Sequence, residues 1–69
     1  MTKFNELKRM TQGKILPILC KNEDNEYVTI KYGIANGERF FQVTTIQHND
    51  WCRINTYWES GTNEETYRK

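Results

Sequence analysis

The sequence predicts an α+β domain: a short N-terminal helix packed on a four-stranded antiparallel β-meander. Three observations carry this expectation. The first eleven residues space their apolar side chains as a helix does. Residues 26–34 alternate with period two and lead into Asn36-Gly37. A further strand-like stretch runs from Trp51 to Trp58. The alternative is a small curled SH3-like or OB-like β-barrel, which residues 15–20 favour because they are apolar on both faces of a strand.

In the helix, Phe4, Leu7, Met10 and Thr11 fall at i, i+3, i+6 and i+7, one face of a 3.6-residue period. Thr2 is placed to cap the N-terminus and Gly13 to follow the C-terminus. Lys8, Arg9 and Lys14 lie near the negative end of the helix dipole. A helix shorter than about 12–15 residues is not stable alone, so this one needs a docking surface, the apolar face of the sheet.

The run Ile15-Leu16-Pro17-Ile18-Leu19-Cys20 reads as the first strand, and Lys21-Asn22-Glu23-Asp24-Asn25 as the turn after it. Pro17 has no N–H for a ladder, which puts this strand at a sheet edge. Next, Val28, Ile30, Tyr32 and Ile34 alternate with Tyr27, Thr29, Lys31 and Gly33. Asn-Gly favours a two-residue type I′ hairpin, because both central residues need positive φ. That turn sets Ile30 opposite Val43, Tyr32 opposite Phe41 and Val28 opposite Thr45. Opposed residues share a face. Val28, Ile30, Tyr32, Phe41 and Val43 therefore lie on one side, and Tyr27, Thr29, Lys31, Phe40, Gln42, Thr44 and Ile46 on the other.

Gln47-His48-Asn49-Asp50 is the next turn. An even loop places Cys52, Ile54, Thr56 and Trp58 with Phe41 and Val43. An odd loop places Trp51, Arg53, Asn55 and Tyr57 there instead and buries Arg53. Burying an unpaired charge costs several kcal/mol, so the even loop is expected. Residues 60–69 have no apolar period and read as a polar C-terminal tail. The single globular domain is then 1–59.

Composition narrows the function classes. The chain has 69 residues and a formal net charge of +1. Lys3, Lys8, Arg9 and Lys14 against Glu6 make the N-terminal segment basic, and Glu23, Asp24 and Glu26 cluster further on. A duplex-binding domain usually shows a clear basic excess. No apolar run approaches the ~20 residues of a membrane helix, and no signal peptide is visible, so no membrane partner is expected. Two cysteines, Cys20 and Cys52, cannot make the disulfide framework of a secreted mini-protein. The expectation is a cytoplasmic protein with both thiols reduced, mostly inaccessible and acting as small apolar groups. Abundant Asn, Lys and Ile with one Ala and one Pro is the usage of AT-rich coding DNA, an association with phage and mobile-element products.

No catalytic, metal or cofactor set emerges. His48 is the sole histidine and reads as a solvated hairpin tip. One His and two Cys fall short of a structural zinc site. The four glycines form neither GxGxxG nor GxxxxGK. The feature left is the polar sheet face, expected to gather Tyr27, Lys31, Phe40, Gln42, Arg53, Asn55 and Tyr57, with Trp51 at its end. Aromatic rings interleaved with Lys and Arg suit a protein-binding patch, since these residue types are enriched at interface hot spots. They also suit a stacking platform for single-stranded nucleic acid. The low net charge favours the first. The expected function is a small non-enzymatic protein-interaction module, a phage or mobile-element protein that binds and modulates a host protein. A homodimer through an edge strand or through the same face is the third reading.

Overall fold

The computed structural model describes residues 2–46 and 51–69. Its elements are α1 (Lys3–Met10), β1 (Ile18–Lys21), β2 (Tyr27–Ala35), β3 (Glu38–Ile46), β4 (Cys52–Trp58) and β5 (Asn63–Arg68). The strands form one antiparallel sheet in the order β1-β2-β3-β4-β5. The helix on an antiparallel meander is as expected, but the strands number five rather than four. Among the described residues β1 and β5 are open edges, so the sheet is not the curled barrel of the alternative reading.

Local chemistry sets the helix. Thr2 caps it, its hydroxyl accepting the amide hydrogen of Asn5 at 3.2 Å. Gly13 follows the end with φ +79°. Phe4, Leu7 and Thr11 are buried on the face toward the sheet, while Met10 stays largely exposed. The Thr11 hydroxyl donates to the Leu7 carbonyl at 2.8 Å, which satisfies a polar group that burial would otherwise penalise.

The Asn36-Gly37 hairpin is present, with both residues at positive φ. Ile30 pairs with Val43, Tyr32 with Phe41 and Val28 with Thr45, as the turn requires. Val28, Ile30 and Phe41 join Phe4 and Leu7 in the core, and the Phe4 and Phe41 rings meet at 5.0 Å. Pro17 lies just before β1, and β1 is the edge that a missing donor demands. In the turn between β1 and β2, the Asn22 side chain accepts from the amides of Asp24 and Glu26 at 3.0 and 2.9 Å.

Two expectations fail here. First, β3 and β4 pair as Phe41 with Tyr57, Val43 with Asn55 and Thr45 with Arg53, the odd-loop register. Arg53, Asn55 and Tyr57 therefore share the helix-covered face, while Cys52, Ile54, Thr56 and Trp58 share the other. The penalty assigned to Arg53 is reduced, not prohibitive. Its side chain is still 30 % exposed and lies 3.5 Å from the Glu26 carboxylate. His48 and the rest of the expected turn lie outside the described residues.

Second, residues 63–68 are not a tail but the strand β5, paired with β4 from Cys52–Arg68 to Tyr57–Asn63. The reversal is tight. Trp58 donates to the Thr62 carbonyl and Gly61 to that of Trp58, each at 2.9 Å, and Gly61 takes φ +104°. All six residues of β5 are exposed, so no apolar period marks it. An edge strand this exposed is held mainly by its backbone ladder, which any sequence without proline supplies.

Candidate functional site

One side of the sheet carries the helix and the other carries nothing among the described residues. Pairing places Leu19, Tyr27, Thr29, Lys31, Gly33, Phe40, Gln42, Thr44, Ile46, Ile54 and Trp58 on the open side. Leu19 is 65 % exposed, Tyr27 57 % and Ile46 63 %. Phe40, Ile54 and Trp58 are half-buried by their neighbours alone.

The middle of this face is built by cross-strand contacts. Phe40 and Trp58 are directly opposed on β3 and β4, and their rings meet at 5.0 Å. On its other side Phe40 lies over Gly33. A Cβ at Gly33 would fall 2.5 Å from Cζ of Phe40, so the missing side chain is what lets the ring lie flat on the sheet. Gln42 donates to the Thr56 hydroxyl at 3.2 Å and holds the next rung. At the margin, the Lys21 ammonium stands 5.0 Å from the Tyr27 ring centroid, a cation–π contact.

The eight residues expected to form one face are divided. Tyr27, Lys31, Phe40 and Gln42 lie on the open side. Arg53, Asn55 and Tyr57 lie on the helix side, where the Lys3 ammonium stands 5.9 Å from the Tyr57 ring. Trp51 precedes β4 and packs its ring on Tyr67 at 5.1 Å. The residues missed on the open side are Leu19, Cys52, Ile54 and Trp58, the last three assigned to the core by the even-loop register. Gly33 was a signal for the face itself, though not for the β4 register that adds Cys52, Ile54 and Trp58 to it. A glycine beside Phe40 marks the side on which large rings lie.

The helix side has a groove of about 290 Å³ beside α1. Lys3 and Arg53 line it together with Glu6, Glu23 and Asp24, a lining of mixed sign that selects no one class of charged ligand. Nε of Arg53 is buried there without a hydrogen-bond partner among the described residues. No group of three or more His, Cys, Asp or Glu among the described residues is disposed to hold a metal ion. Cys20 and Cys52 are free and half-buried rather than inaccessible, on opposite faces of the sheet. No helix among the described residues is long and apolar enough to cross a membrane.

The fold and this face define a small α+β protein with a half-covered sheet. No protein-family model matches the chain, and no curated protein or solved structure is significantly similar to it.

Proposed function

We propose that the chain is a non-enzymatic protein-interaction module whose binding surface is the open sheet face centred on Phe40 and Trp58. The observation that carries this reading is the open side's Leu19, Tyr27 and Ile46, each more than half exposed, around the paired rings of Phe40 and Trp58. Each exposes apolar area at about 25 cal/mol per Å² relative to burial. The 35 strand residues, at a rise of about 3.3 Å on strands about 4.8 Å apart, present an area on the order of 550 Å². A standard interface uses about 800 Å² per partner, so this face is of the right order for one such contact.

Charge favours a protein partner over single-stranded nucleic acid. The open face carries Lys21, Lys31 and Arg68 against Glu38 and Glu64. A strand-binding groove needs a run of cations along its track to release counterions from the phosphates. That the partner is a host protein and the chain a phage or mobile-element product in the cytoplasm belongs to the same proposal, supported by composition alone.

The test compares partner capture by the wild-type chain, Phe40→Ala and Ile34→Ala. Ile34 is 64 % exposed but lies on the helix side, so it controls for general apolar loss. The expected outcome is one captured protein, lost with Phe40→Ala and retained with Ile34→Ala. Capture indifferent to Phe40→Ala would overturn the reading. So would salt-sensitive binding of a labelled oligonucleotide abolished by Lys31→Ala, which would assign the face to nucleic acid.

A further inference from the structure

We infer that β5 is a self-pairing edge, and that the chain dimerises by joining two copies of β5 antiparallel about a two-fold axis at Thr66. The inference rests on backbone direction and side-chain charge in β5, independently of what the open face binds.

Backbone direction restricts the register. The Trp58 amide donates to the Thr62 carbonyl, which fixes the phase of the ladder between β4 and β5. Antiparallel pairing alternates hydrogen-bonded and non-hydrogen-bonded pairs. Continuing along the register, Glu64, Thr66 and Arg68 direct their N–H and C=O groups at β4. Asn63, Glu65 and Tyr67 direct theirs outward, with no strand beyond them among the described residues. A second antiparallel copy must therefore set outward residues opposite outward residues. Placing Thr66 on the axis does this. Glu65 of each copy then exchanges backbone hydrogen bonds with Tyr67 of the other.

Side-chain chemistry selects this axis among those the backbone permits. With Thr66 on the axis, Glu64 of each copy stands opposite Arg68 of the other, in the non-hydrogen-bonded positions where side chains approach most closely. Thr66 meets Thr66, a pairing sheets favour. Moving the axis to Glu65 sets two carboxylates face to face. Moving it to Tyr67 gives up both Glu64–Arg68 contacts. Within one copy, Glu64 is opposite Thr56 and Arg68 opposite Cys52, so neither charge has an opposite partner across β4. The axis runs perpendicular to the sheet, so both helices fall on one side and the two open faces join on the other. The contact area of one short strand is small, so the association is weak.

Sedimentation equilibrium on the full chain, from micromolar to millimolar concentration, tests the inference. The expected result is a reversible monomer–dimer equilibrium that weakens as salt rises. Glu64→Arg and Arg68→Glu should each weaken it by about tenfold or more, since each puts like charges at both contacts. Mixing the two variants should restore association, because both contacts between unlike chains then set a guanidinium opposite a carboxylate. An independent measurement is amide hydrogen exchange of the wild-type chain. Protection should rise with concentration at Glu65 and Tyr67, whose amides point outward, and not at Glu64 or Thr66. A chain monomeric throughout, a dimer indifferent to both reversals, or a mixture no tighter than its components would each overturn the inference. So would a dimer abolished by Phe40→Ala and not by the charge reversals, which would move the contact to the open face.

Discussion

Neighbouring phenylalanines on opposite faces of β3 allow core and surface to be separated by one kind of substitution. Phe41 is 3 % exposed, with its ring 5.0 Å from that of Phe4 and 5.2 Å from that of Tyr32. Phe41→Leu removes both aromatic pairs, at about 0.5–1.5 kcal/mol each beyond burial. It also leaves part of the ring's volume empty, for a total near 2–3 kcal/mol. Truncation to Ala would cost about 3–5 kcal/mol, as much as the whole stability expected of so small a domain, so Leu is the informative change. Phe40 is half-buried and touches one ring, Trp58. Phe40→Leu should therefore cost only about 0.5–1 kcal/mol. At roughly 4–8 °C per kcal/mol for a domain of this size, Phe41→Leu lowers Tm by roughly 8–24 °C and Phe40→Leu by less than about 8 °C. Thermal unfolding followed by circular dichroism at low protein concentration measures both. Equal losses would show that the face bearing Phe40 is covered in solution, and the open-face reading would fall.

Other expectations are smaller in magnitude. Thr2→Ala removes the acceptor for the Asn5 amide and should cost about 1 kcal/mol in thermal unfolding, whereas Thr2→Ser retains the cap and most of the stability. Glu26→Gln removes the charge facing Arg53, but both side chains are about one-third exposed, so solvent screening limits the cost to below about 1 kcal/mol. That difference should shrink in high salt, and a larger loss insensitive to salt would contradict it. The Tyr67 phenol donates to the Glu65 carboxylate, and this hydrogen bond, followed by desolvation and the carboxylate's charge, raises its pKa above the ordinary tyrosine value, against a lowering by Arg53. Because the folded value is the higher one, the contribution is present below the ordinary tyrosine pKa and lost as pH rises through the raised value. Nuclear magnetic resonance titration of Glu65→Ala should find the Tyr67 transition at lower pH than in the wild-type chain.

Where local chemistry decides, the sequence was sufficient. Thr2 caps the helix, Phe4 and Leu7 dock it, and Asn36-Gly37 fixes the pairing of β2 with β3 down to individual rungs. Those elements place Tyr27, Lys31, Phe40 and Gln42 on one face without reference to the rest of the chain. The register of β4 was not legible, because its two alternating sets are both mixed. Cys52, Ile54 and Trp58 on one side compete with Trp51 and Tyr57 on the other. Arg53 looked decisive only as an isolated charge. Tertiary structure supplies Glu26 from the turn before β2 and leaves the guanidinium partly in water, so the penalty falls to that of a buried Nε and no longer excludes this register. The strand β5 was hidden for a different reason. A hydrophobic pattern records which side chains leave water, and at this edge only Tyr67 partly does, against Trp51. Its position depends on the backbone groups that β4 leaves unpaired, which side-chain identity does not encode.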